Sequence, residues 1–160
     1  MRRLLMGTVI VVAFGLLAGC ATGQIPGTLV DDTVENRAIH SMVEAYRQAV
    51  EKRDAEAIGK LVSRRYYENA STTDVQTDDY GYEKLAKSVL KELKENVKKA
   101  EYRIILKKVS FQGNRALAEY EYFWRFQYTE GGREQWVAKN DFNRLDFIRE
   151  DNSWKIISGL

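Results

Sequence analysis

From residue 116 to residue 128 the chain alternates. Ala116, Ala118, Tyr120, Tyr122, Trp124, Phe126 and Tyr128 occupy every second position, and the opposite phase carries Arg115, Glu119, Glu121 and Arg125. Successive strand side chains point to opposite faces, so this segment has one aromatic face and one largely charged face. A strand of this kind is unstable alone in water. It needs paired neighbours and a cover over its aromatic side.

The neighbours lie on either side in sequence. Tyr102, Ile104 and Leu106 alternate, while Val109 and Phe111 break that phase and predict a bulge. Gln112-Gly113-Asn114 is a turn into the aromatic strand. Gly131-Gly132 turns the chain into a third strand over about 134–149, and Asp151-Asn152 turns it into a last one, Trp154 to Leu160, with Trp154 facing inward beside Ile156. The cover comes from the preceding half. Ile39, Met42, Val43, Tyr46 and Val50 fall at helical intervals and predict a helix over 34–52. Asp54 offers a cap for a shorter helix carrying Ile58, Leu61 and Val62. Residues 63–81 read as a loop or short edge strand. A third helix is predicted over 82–99, with Leu85, Val89, Leu93 and Val97 on one face. Helices followed by hairpin-linked strands make an α+β domain, its N-terminal helices packed on an antiparallel sheet.

The stretch Asn143-Arg144-Leu145-Asp146-Phe147-Ile148-Arg149-Glu150-Asp151-Asn152-Ser153-Trp154-Lys155-Ile156 is an apolar strand, a charged turn and a Trp-Lys-Ile final strand. With the first helix and the Asp54-capped second, it resembles the nuclear-transport-factor-2-like superfamily over residues 34–160. The resemblance implies a strongly curved sheet and a cone-shaped, open-ended domain, as in its ketosteroid-isomerase-like members. That superfamily includes ketosteroid isomerase, scytalone dehydratase, scaffolds without catalysis and lipoproteins of unknown role, so the resemblance does not name a function. None of its catalytic motifs can be matched here residue by residue, and no catalytic residue is assigned.

The N-terminus carries an address. Met1-Arg2-Arg3 precedes an uncharged run from Leu4 to Leu17, too short for a span of about 20 apolar residues. A charged start, a short apolar run and small residues describe a secretory signal. Its exit, Leu17-Ala18-Gly19-Cys20, resembles the lipobox of bacterial lipoproteins. The resemblance implies removal of residues 1–19, lipid on the Cys20 sulfur, and attachment of the chain to a membrane of the cell envelope. Ala21 in place of an acid implies the periplasmic face of the outer membrane rather than the inner membrane. Residues 20–33 hold the only proline and read as a lipidated tether. Since Cys20 is the only cysteine, the domain contains no internal disulfide.

Composition narrows the chemistry. Residues 1–19 hold two of the 25 basic residues and none of the 23 acidic ones, so the remainder is net neutral. Nothing in that balance points to nucleic acid. One histidine, His40, and no spare cysteine argue against a transition-metal site, and no cofactor motif is present. Lys84, Lys87, Lys91, Lys94 and Lys98 form a basic stripe, either a solvated face paired with Glu83, Glu92 and Glu95 or a docking surface.

The candidate pocket is the aromatic face. Tyr120, Tyr122 and Trp124 line it, with Tyr66, Tyr67 and Tyr80 near its mouth. Phase from Leu145 and Phe147 puts Asn143, Asp141 and Lys139 on the same side, where Asp141 would be the polar centre of a ligand site. Alternatively a bulge near 140–144 buries Phe142 and Trp136 and turns Asp141 to solvent. Three readings follow: a non-catalytic envelope binding or assembly module, with an envelope protein or a second copy through the sheet as partner; a small apolar-ligand carrier or sensor; and a cofactor-free lyase or isomerase with Asp141 as base.

The lipobox is directly testable. Intact-mass analysis of the membrane fraction should show cleavage before Cys20 with acyl chains attached, and Cys20→Ser should lose both. Acylation that survives Cys20→Ser would disprove the assignment.

Overall fold

A computed structural model of the chain describes residues 23–69 and 79–160. Cys20, the signal segment 1–19 and the polar stretch 70–78 lie outside the described residues. Among the described residues no helix is long and apolar enough to cross a membrane.

The first helix, α1, spans Val34–Lys52. Thr33 caps it by accepting from the Asn36 N–H at 3.1 Å, and Arg53 ends it in the left-handed region at φ 55°. Asp54 then accepts from the Ala57 N–H at 2.9 Å and starts α2, Ala55–Leu61. Two residue pairs, β1 (Tyr67–Glu68) and β2 (Tyr80–Gly81), form a small antiparallel ladder.

The next helical run, 82–95 (α3), departs from the expected one. It consists of a turn at Tyr82–Lys84, a π-helical segment at Leu85–Val89 and an α-helical segment at Leu90–Glu95. The π segment inserts one extra residue per turn and rotates the apolar face. Leu85 and Leu90, five apart, are therefore buried, and Val89 is 38% exposed. The chain has already become a strand at Val97, which the 3.6-residue period had placed within the helix.

Four strands form one antiparallel meander: β3 (Val97–Gln112), β4 (Arg115–Glu130), β5 (Arg133–Glu150) and β6 (Ser153–Ser158). The bulge inferred from Val109 and Phe111 lies between Leu106 and Lys108, after which Val109 and Phe111 pair with Ala118 and Ala116. Ile39 and Val43 of α1 share a core with Leu106, Ala118, Tyr120, Leu145, Phe147 and Ile156, all nearly inaccessible. Trp154 is half-buried, packing against Phe111 at 6.1 Å between ring centres.

The segment read as a tether is partly folded. Gln24 bridges to Asp31 around a turn at Pro26-Gly27, Ile25 and Val30 are buried, and the Leu29 N–H donates to the Leu106 carbonyl at 2.9 Å. Apolar side chains at 25 and 30 explain why this stretch docks on the domain.

The π segment sets which leucines are core. Leu85→Ala should cost about 2–5 kcal/mol in chemical denaturation, whereas Val89→Ala should cost about 1 kcal/mol or less. Equal losses would mean that the helix keeps a regular α period.

Candidate functional site

The wide end of the cone is a cavity of about 460 Å³. Tyr46 and Val50 of α1, Ile58 of α2, and Leu85, Leu90 and Leu93 of α3 form one side. Trp124, Phe126 and Tyr128 of β4, Val137 of β5, Val97 and Leu160 form the other. Trp124 and Phe126 stack at 4.8 Å. Among the described lining residues Glu92 is the sole acid, and it is exposed at the helix surface. An apolar wall with few polar groups suits a small apolar guest.

Behind this wall lies a tyrosine cluster. The Tyr46 and Tyr102 rings meet edge to face at 5.9 Å, and Tyr102 and Tyr120 each lie 6.2 Å from Tyr122. Burial pushes the Tyr46 and Tyr102 hydroxyls well above the usual phenol range. It pushes Tyr120 up to about 12, with the nearby Tyr102 and Asn143 side chains holding it back from a larger rise. The Tyr120 hydroxyl is buried and makes no bond of proper hydrogen-bond geometry among the described residues.

The residues singled out from sequence fall into separate places. Trp124 lines the cavity; Tyr120 is only 1% exposed and is part of the tyrosine cluster; Tyr122 is half-buried. Tyr66 is buried but holds the strand exit: its hydroxyl accepts from the Leu160 N–H at 3.1 Å. Tyr80 donates to the Leu160 carbonyl at 2.8 Å, and Glu68 accepts from the Gly159 N–H at 2.6 Å. Asn143 belongs to the same clamp, donating to the Gly159 carbonyl at 3.2 Å. Gly159 has φ +100°, and a Cβ there would stand 2.0 Å from the Arg144 carbonyl oxygen, so only glycine fits. Tyr67 is exposed and donates to the Asp79 carboxylate, away from the cavity.

Asp141 pairs with Tyr122 across the ladder, so the phase read from Leu145 holds and the β4–β5 register runs without a bulge through 140–144. Yet Asp141 is exposed, as are Trp136 and Phe142 on the opposite phase. Neither expected environment is present, because this part of β5 is at the sheet margin. The Lys139 ammonium at 2.9 Å and the Phe142 N–H at 2.8 Å hold the Asp141 carboxyl below the usual carboxylate range. Half-buried His40 is not among the cavity residues, and no cluster of potential metal ligands occurs among the described residues.

Sequence reasoning missed α3 and Leu160 as cavity walls. Leu85 and Leu93 were visible as an apolar stripe, but nothing in a stripe distinguishes a packed position from one facing a void.

The cone is shared with proteins of known structure. Over 77% of its length the chain is similar to a nuclear transport factor 2-like superfamily protein from Salmonella enterica, covering 86% of that chain at 14% identity and a TM-score of 0.61. The fold is nuclear-transport-factor-2-like. A conserved protein from Planctomyces limnophilus is similar over 78% of this chain and 92% of its own, at 13% identity and a TM-score of 0.62. A hexachlorocyclohexane dehydrochlorinase is similar over 78% of this chain and 82% of its own, at 15% identity and a TM-score of 0.59. No family model and no curated protein matches the sequence. At such identities the nuclear-transport-factor-2-like likeness establishes architecture alone.

The buried tyrosines make stability depend on alkaline pH. Their folded pKa values lie above the unfolded value of about 10. The stabilisation is therefore complete below that value and is lost as pH rises from it through the folded pKa values, because only the unfolded chain releases the protons. Denaturation midpoints should fall above about pH 10, and Tyr102→Phe should lessen the fall. A midpoint insensitive to pH in that range would contradict the burial of these hydroxyls.

Proposed function

We propose that the chain is a lipid-anchored, non-catalytic binding module of the cell envelope whose cone holds a small, uncharged, apolar molecule. One observation carries the reading: the cavity is roomy and apolar, and no histidine, lysine or buried carboxylate faces into it among the described residues. A lyase or isomerase needs a positioned base within reach of its substrate. Asp141, the sequence candidate, is solvent-exposed, and a fold likeness to a dehydrochlorinase supplies no substitute. The assembly reading also has support, from exposed aromatic residues on β5.

The anchor part of the proposal rests on the lipobox and gains a geometric consequence. Docking of residues 24–31, with the Gly23 carbonyl accepting from the Asp32 N–H at 2.7 Å, leaves only residues 21 and 22 between Cys20 and the folded domain. Such a linker reaches at most about 11 Å. An acylated Cys20 would therefore hold the cone against the membrane surface, where apolar molecules are concentrated.

Binding can be measured with the apolar dye N-phenyl-1-naphthylamine. It should bind saturably at one site and quench Trp124 emission. Leu93→Trp, which fills the cavity, should weaken binding about tenfold or more, a loss of about 1.4 kcal/mol, without unfolding the protein. Absence of saturable binding, or binding indifferent to Leu93→Trp, would overturn the ligand reading.

A further inference from the structure

The basic stripe of α3 is divided by its own partners. Lys84 stands over the Tyr80 ring at 5.6 Å, Lys87 pairs with Glu83 at 3.1 Å and Lys91 with Glu95 at 3.9 Å. Lys94, Lys98 and Lys99 are exposed and have no acidic partner among the described residues. Lys94 follows Leu93, and Lys98 and Lys99 follow Val97. Leu93 and Val97 both line the cavity, with Asn96 exposed between them. The unpaired cations therefore lie at the mouth of the cone. Its rim is apolar as well: Val89 of α3 and Val137 of β5 line the same cavity and are 38% and 40% exposed. Of the acids close by in the chain, Glu95 faces Lys91 and Glu101 faces Arg125 at 3.9 Å, which leaves Glu92 against three lysines. Half-exposed valines beside uncompensated lysines suit an interfacial surface. Apolar groups enter the boundary between headgroups and acyl chains, and ammonium groups meet lipid phosphates.

We propose that the mouth of the cone docks on an anionic phospholipid surface, so that an apolar guest passes between bilayer and cavity without crossing water. The choice of surface rests on the lipid-anchored reading; the charge and exposure of the mouth do not. Lys94, Lys98 and Lys99 meet headgroup phosphates, and Val89 and Val137 reach the acyl boundary. The anchor fixes how the domain must lie. Leu29, ahead of α1, bonds to Leu106, whereas Arg53, just past the end of α1, donates to the Val97 carbonyl at 2.7 Å. The anchored end and the mouth are thus at opposite ends of α1, whose 19 residues span about 28 Å. With a linker of at most about 11 Å, both ends touch one bilayer only when α1 lies along its surface. Leu29 and Val34, 57% and 80% exposed, are the apolar groups available at the anchored end.

A dansyl-bearing amino acid replacing Asn96 reports where the mouth is. The full chain, matured in its host, is reconstituted in vesicles of phosphatidylcholine with or without phosphatidylglycerol, each carrying spin-labelled lipid. The spin label should quench the dansyl emission in the anionic vesicles, and about tenfold less in those of phosphatidylcholine alone. Salt at about 1 M, where the screening length falls to about 3 Å, should abolish the difference. Lys94→Glu with Lys98→Glu should cut the quenching about tenfold or more, and Arg115→Glu, at the far end of β4, should not. The same dansyl group replacing Glu119, on the face of β4 away from the helices, should stay unquenched. Equal quenching in both vesicles, quenching that survives the double reversal, or none at position 96 would each overturn the docking. Circular dichroism identifies any variant that has unfolded, and the dependence of the Asn96 signal on lipid and salt then decides. Intact mass of the same sample reads the anchor separately. A chain without acyl groups overturns the anchor while the dansyl group still reports the mouth, and an acylated chain without quenching overturns the docking alone.

Discussion

The aromatic face of β4 is the constraint from which the rest follows. Its residues are graded: Ala116 and Ala118 at one end, Tyr120 next, then Tyr122, Trp124 and Phe126. The alanines, with no side chain beyond Cβ, let Ile39 and Val43 of α1 and Phe147 and Ile156 of the sheet close into a solid core. Interiors pack at nearly crystalline density, so the small residues set the narrow end. Large rings hold the opposing helices away, and α3 cannot meet them everywhere. The same strand therefore builds a filled end and a hollow end.

The hollow end is apolar because mostly apolar and aromatic side chains of the helices and of β4 and β5 line it. The Tyr66 and Tyr80 hydroxyls and the Glu68 carboxylate are occupied with the backbone of Gly159 and Leu160. Leu160, held by that clamp, is among the residues that line the cavity. Asp141, the acid singled out from the sequence as a possible base, is committed to an exposed ion pair. The two faces of the sheet margin differ: Val137 lines the cavity beside Trp124, while Trp136 projects from the other face of the sheet beneath the Arg125 guanidinium at 4.1 Å.

Much of this was legible beforehand. The helix at 34–52 follows from apolar spacing and the shorter second helix from the Asp54 cap, while the Thr33 cap became visible only in the structure. The hairpins follow from Gly113-Asn114, Gly131-Gly132 and Asp151-Asn152, and the bulge from a change of phase in β3. The candidate site was less legible. Trp124 was found because it lies on the aromatic row. The partners of Tyr66 and Asn143 in the clamp could not be read from the sequence, since they lie 94 and 16 residues away in the chain. The docking of 24–31 was hidden for the same reason: a Pro-Gly turn looks like a linker until Leu106 offers its carbonyl.

By itself the sequence determined the α+β class, the antiparallel meander and the face each strand presents, because those depend on side-chain period and on contacts among near neighbours; the curvature was only what the resemblance implied. Only the tertiary structure decided the rotation of α3 through its π segment, the division of the aromatic row into packed and cavity-lining halves, and the exposure of Asp141. Each of these depends on how far one element extends past another. Period reports which side of a strand a residue is on, but not whether anything stands opposite it.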